Sequence, residues 1–145
     1  MAILNYLAFK YDIKPQTPEE MYEMNWYTET LKDHEKKELT PAIFTAGCDQ
    51  EIIDGFIANY SEFYDKLEAR WADGRTHVAG NTITAADYYL LAGYTSVATN
   101  PNLRNPAVGA AMKAKVESLP NVMRVINGIK EPLQGAVDSL NYGWI

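Results

Sequence analysis

Few residues in this chain have a side chain suited to covalent or acid–base chemistry, and their spacing decides whether they can act together. The histidines are His34 and His77, and the one cysteine is Cys48. A histidine working as a general base or metal ligand needs a nucleophile or second ligand at a defined spacing, and neither histidine has one. His34 lies in Lys32-Asp33-His34-Glu35-Lys36-Lys37-Glu38, a run of mixed sign that reads as a solvated helix face. His77, next to Val78, reads as a partly exposed loop residue. A cysteine attacks as its thiolate, which nearby positive charge favours. Cys48 has Gly47 on one side and Asp49 on the other, so its neighbours disfavour the thiolate. Asp87 is the only charged residue between Thr84 and Thr99. A carboxyl in so apolar a setting is a candidate acid, but its distance from Thr84 offers a structural role that accounts for it. The chain has no glycine-rich phosphate loop, no H-E-x-x-H and no G-x-S-x-G. No catalytic residue and no metal site is assigned.

The structural role of Asp87 belongs to the stretch Thr84-Ala85-Ala86-Asp87-Tyr88-Tyr89-Leu90-Leu91-Ala92-Gly93-Tyr94. A Thr followed three residues later by an acid, ahead of an apolar run, is a capping box: each side chain satisfies the other residue's backbone N–H. Ile83 before the cap and Tyr88 beyond it are placed to pack as a hydrophobic staple. The run to Thr99 is apolar on every side, which implies a helix buried among others. It is too short to span a bilayer.

Other helices follow from similar signals. Ile3, Leu4, Leu7 and Tyr11 have helical spacing, with Tyr6 and Phe9 broadening the face. Asp12 to Gln16 reads as a linker. Thr17-Pro18-Glu19-Glu20 starts a second helix, with Thr17 as cap, Pro18 in the first helical position and Glu20 closing a capping box. Its stripe is Met21, Met24, Tyr27 or Thr28, and Leu31, and Thr40-Pro41 is expected to end it. Asp49 is placed to cap a third helix with apolar positions Ile52, Ile53, Phe56, Ile57, Tyr60, Phe63, Tyr64, Leu67 and Trp71, stopped by Asp73-Gly74. Asn105-Pro106 opens another helix. Pro120 opens a short one expected to end at Asn127-Gly128, and Pro132 is placed to begin a further turn. The tail Asn141-Tyr142-Gly143-Trp144-Ile145 is aromatic and not helical in pattern. The aromatics Tyr22, Trp26, Tyr27, Tyr60, Tyr64 and Trp71 recur at helical spacing and read as core rather than ligand pocket. The expected fold class is all-α.

At 145 residues and 47% hydrophobic content, the chain is long enough for one domain with its own core. Its net charge of −6 argues against non-specific nucleic-acid binding, which needs a basic face, and against adhesion to anionic membranes. No segment reads as a signal peptide or membrane span, so no membrane insertion is expected. A single cysteine excludes an internal disulfide, and the expected location is the cytoplasm or another reducing intracellular compartment.

Gly80-Asn81-Thr82-Ile83-Thr84-Ala85-Ala86-Asp87-Tyr88-Tyr89-Leu90-Leu91 resembles the capping-box and staple motif of the all-helical C-terminal domain of cytosolic glutathione S-transferases. Val116-Glu117-Ser118-Leu119-Pro120-Asn121-Val122 resembles a later segment of that domain, where a proline begins a helix. Ala2-Ile3-Leu4-Asn5-Tyr6-Leu7-Ala8 resembles the last helix of the family's thioredoxin-like domain. Asp12–Gln16 resembles the interdomain linker and Thr17-Pro18-Glu19-Glu20 the first helix after it. The resemblance covers nearly the whole chain and is closest to the pi, sigma, mu and alpha classes. It implies a residual thioredoxin-domain helix in residues 1–13 and a transferase-type helical bundle in residues 14–145. Most of the thioredoxin-like domain, which holds the glutathione-activating residue, is expected to be missing.

By the same resemblance, Asp33 falls where relatives place an acid that reaches across a dimer to glutathione. Trp26, Tyr27, Ile43 and Phe44 correspond to remnants of the electrophile pocket. No cofactor is expected unless a thioredoxin-like half is supplied, in which case it is glutathione. Isolated helical domains of this family serve as assembly modules in translation factors and synthetase complexes. The expected function is therefore a non-catalytic scaffold that binds a protein partner or forms a homo-oligomer. The alternative is part of an active transferase that conjugates glutathione to hydrophobic electrophiles. A third option is a small-molecule binder that uses an apolar pocket without catalysis.

Overall fold

A computed structural model describes residues 2–34 and 49–139. Among these the chain is all-helical, and its sole β-type pairing is one isolated bridge between His77 and Gly80. The helices are α1 (Ala2–Lys10), α2 (Pro18–His34), α3 (Gln50–Arg70), α4 (Ala85–Gly93), α5 (Pro106–Glu117), α6 (Pro120–Lys130) and α7 (Gln134–Asp138). A π-helical turn (Tyr94–Ala98) continues α4, and a 3₁₀ turn (Glu131–Leu133) joins α6 to α7. No helix of the described residues is long and apolar enough to cross a membrane.

The central position of α4 follows from its sequence. It packs against α1, α2 and α6, and its π-helical extension packs against α5. Ala85, Ala86, Leu90, Leu91, Tyr94, Val97 and Ala98 are all buried. A narrow strip through Tyr88 and Ala92 reaches solvent, so the helix is buried on most sides rather than all. Its start is the capping box read from the sequence. The Thr84 N–H donates to Asp87 Oδ2 at 2.6 Å, and the Thr84 hydroxyl donates to the same oxygen at 2.9 Å. Ile83 is half-buried and Tyr88 is 36% exposed.

The far end of α4 departs from a simple α-helix. Thr95 donates its hydroxyl to the Leu91 carbonyl at 2.8 Å, and the Thr99 N–H reaches the Tyr94 carbonyl, an i→i+5 bond that widens the turn. Here α5 comes close. A Cβ on Gly109 would sit 2.9 Å from the Val97 carbonyl oxygen and 3.0 Å from Leu103 Cδ2, so the approach requires glycine.

Around this centre, α3 supplies the largest apolar face. Ile53, Phe56, Tyr60, Phe63, Tyr64, Leu67 and the following Trp71 are buried and pack toward α5 and α6. Ile52, which the spacing assigned to that face, is 40% exposed. Asp49 takes the N-cap position with no side-chain cap bond; its backbone carbonyl accepts from Ile52 and Ile53. In α2 the buried stripe is Met24, Tyr27, Thr28 and Leu31, while Met21 is 37% exposed. Thr17 caps α2 by accepting from the Glu20 N–H at 3.1 Å. The Glu20 carboxylate reaches one residue further back than a capping box requires, to the Gln16 N–H at 2.6 Å. The stop expected at Asn127-Gly128 does not occur. Helix α6 runs to Lys130, with Ile129 fully buried, because an apolar contact there outweighs the local turn signal. Pro132 lies in the 3₁₀ turn, as its spacing suggested. The expected end of α2 at Thr40-Pro41, Cys48 and the aromatic tail lie outside the described residues.

Candidate functional site

Asp33 is exposed near the end of α2. His34, read as a surface residue, is half-buried, and its ring lies 4.9 Å from that of Phe63. Tyr27 is 1% exposed, with its ring 6.3 Å from Phe63 and 6.2 Å from Trp71, so it is part of the core. Trp26 is half-buried under the Arg70 guanidinium, 4.1 Å from its ring centre. Ile43 and Phe44 lie outside the described residues. Tyr27 is thus turned into the core, while Trp26 packs against Arg70. A crevice between α3 and α5, lined by Phe56, Tyr60, Tyr64 and Met112, holds about 10 Å³, at most the space of a single water. No described group of His, Cys, Asp and Glu could hold a metal ion.

Two buried or half-buried polar clusters give the helices their relative positions. In the first, Asp87 does more than cap. Its Oδ1 accepts from the Val78 N–H at 2.8 Å, tying the loop before α4 to the helix start. Burial pushes the Asp87 carboxyl above its usual range, outweighing these hydrogen bonds and the charge of His77. In the second, Glu23 of α2 accepts two bonds from Arg70, at 2.8 and 2.6 Å, and one from Arg75 at 2.9 Å. Burial pushes the Glu23 carboxyl up, but the two guanidiniums outweigh it and hold it below the usual range. Arg75 also binds Asp73 and the Val78 carbonyl. The spacing of charges in the sequence gave no sign of this cluster, since its partners are 47 and 52 residues apart.

The exposed surface carries a different feature, on α1. Ala8, 2% exposed, packs into the core. Ile3 is 77% exposed, Tyr6 62%, Phe9 64%, Tyr11 63% and Leu7 36%. At 100° per residue, Ile3, Tyr6, Leu7 and Lys10 form one stripe pointing away from Ala8, with Phe9 beside it. The Lys10 ammonium lies 5.8 Å from the Tyr6 ring centre and 5.5 Å from that of Tyr11, which places Tyr11 on the same side. Lys14 lies 5.5 Å from the Phe9 ring and 3.4 Å from Asp12.

The end of α1 holds this face in place. Asp12 adopts φ 54°, and the Ile13 N–H returns to the Ala8 carbonyl at 2.9 Å, a helix stop of the Schellman type. The Ile13 carbonyl then accepts from the Ala85 N–H at 3.1 Å, so the first turn of α4 anchors the linker. The sequence contained a signal for this exposed face, because α1 is mostly apolar, with Asn5 and Lys10 as its polar residues. The chain matches no protein-family model, no curated protein and no solved structure.

Proposed function

We propose that the chain is a non-catalytic interaction module of the glutathione transferase C-terminal type, which docks on a protein partner through α1. The observation that carries this reading is the exposed face of Ile3, Tyr6, Leu7, Phe9 and Tyr11. Large apolar side chains grouped on one exposed helix are a binding surface far more often than a chance of packing, and aromatic residues are the usual anchors of protein interfaces. The second reading, a transferase completed by a thioredoxin-like half, draws on the same face, since a preceding domain would cover it.

Purified protein of residues 1–145 is expected to leave the conjugation of glutathione to a standard aromatic electrophile at its uncatalysed rate. A rate above that would favour the transferase. In native extract, the complex containing the wild-type chain is expected to be lost on Tyr6→Glu. A complex of unchanged mass would remove α1 as the docking surface.

A further inference from the structure

We infer that Thr76 is an acyl-acceptor site, at which its hydroxyl, with His77 as base, takes the acyl group of a small activated ester or thioester. Local spacing offers His77 no partner, but the folded loop places the preceding hydroxyl against its ring. Thr76 Oγ1 and His77 Nδ1 lie 3.0 Å apart, the reach expected of a nucleophile and its base. In the neutral ring with its proton on Nε2, Nδ1 is the acceptor and the hydroxyl donates to it. Thr76 is exposed and His77 is half-buried, so the oxygen meets solvent-borne donors while the ring stays against the loop.

Backbone bonds hold the peptide units on both sides of the hydroxyl. The Arg75 carbonyl accepts from Arg124 Nε at 3.0 Å. The His77 N–H donates to the Gly80 carbonyl at 3.0 Å, and the Gly80 N–H donates back to the His77 carbonyl at 3.2 Å. The next N–H, of Val78, is taken by Asp87. The Thr76 carbonyl lies against Gly128 of α6, 2.8 Å from where a Cβ would stand. A nucleophile and base already set in one geometry lose less entropy in reaching the transition state. Asp87 adds an electrostatic contribution. Burial raises its carboxyl, and the charge of His77 acts on it in the opposite sense. That attraction is mutual, so Asp87 favours the imidazolium formed when His77 takes the hydroxyl proton.

The step is an acyl transfer with no change of oxidation state. Thr76 Oγ1 forms the new bond to the acyl carbon, and its proton passes to His77 Nδ1. The bond from that carbon to the thiolate or phenolate breaks, and the leaving group keeps the electron pair. The proton then returns from the imidazolium to the leaving group or to water. Thr76 is left as an ester, one acyl group per chain. The modification neither needs nor excludes a partner on α1.

The probe is p-nitrophenyl acetate, added to the full chain at neutral pH. Intact mass is expected to show one acetyl group that hydroxylamine removes, as it removes esters and leaves lysine amides, and peptide mapping is expected to place it on Thr76. Thr76→Val is expected to lose this ester and Thr76→Ser to keep it. His77→Gln is expected to slow its formation about a hundredfold. In urea, the wild-type rate at Thr76 is expected to fall to that of the chain's other hydroxyls, a comparison that holds whether or not the variant folds. Acetyl groups found on amines alone would overturn the proposal. So would an ester at Thr76 that forms as fast in His77→Gln, or as fast in the unfolded chain.

Discussion

Asp87 shows how one side chain can be costly to bury and still be required. Its carboxylate takes the N–H groups of Val78 and Thr84 and the Thr84 hydroxyl, and all three groups are fully or almost fully buried. Removing the acceptor leaves buried donors unpaired. Asp87→Ala is expected to lower unfolding stability by about 2–4 kcal/mol, read from urea denaturation, and an unchanged midpoint would contradict the role. The pH dependence has a definite sign. The folded-state pKa of Asp87 is raised by burial, so the native protein binds more protons than the unfolded chain between the usual carboxylate value and the raised one. Its contribution to stability is therefore full below the usual value and is lost as pH rises through the raised one. Glu23 runs the other way. Its pKa is depressed, so its contribution is present above the usual value and lost as pH falls through the depressed one. Urea midpoints measured against pH are expected to differ from wild type mainly above the usual carboxylate range in the slope of Asp87→Asn, and mainly below it in that of Glu23→Gln.

At the scale of elements, the helix starts were more legible than their stops. Thr17, Thr84, Asn105 and Pro120 mark starts that the structure places within a residue or so, because a capping side chain at Thr17 and Thr84, and a proline in the first helical position of the other two, act on the first turn itself. Ends depended on distant neighbours. Helix α6 continues past Asn127-Gly128 because Ile129 has a buried site. The end of α4 widens into a π turn against α5. The start of α6 shows the same dependence. Its Asn121 and Val122 N–H groups donate to Glu68 of α3 at 2.9 and 3.0 Å, from 53 and 54 residues away. This is a cap supplied from another helix, which no local motif announces. Glu68→Ala is expected to cost about 1–2 kcal/mol, while Glu68→Gln, which keeps an acceptor, is expected to recover part of that loss. Gly109→Ala is expected to cost about 1–3 kcal/mol, since backbone at the Val97 carbonyl must move. Thermal melts of the two variants measure how far α5 and the π turn can separate.

At the scale of the molecule, the question is which apolar surface is core and which is interface. The periodicity that identified α3 as a buried face also marked α1, and the two have opposite fates. In α3, Phe56, Phe63 and Leu67 are at most 1% exposed; Phe63→Ala is expected to cost about 3–5 kcal/mol in urea denaturation. In α1, Tyr6 and Phe9 are mostly in water, so the same truncation there is expected to leave the urea midpoint unchanged in dilute monomer. The contrast also bears on the site residues suggested by resemblance. Tyr27 has its ring in the core, Trp26 packs against Arg70 and Asp33 is exposed on α2.

The sequence by itself determined the all-helical class, the position of the central helix and most helix starts, because helical periodicity and capping act over three or four residues of one chain. Only the tertiary structure decided that α1 contributes Ala8 to the core and leaves its aromatic face in water, that Glu68 caps a helix 53 residues away, and that Asp87 also holds the loop at Val78. Those outcomes depend on which surfaces meet once the chain has folded, and local sequence spacing carries no information about distances across the fold.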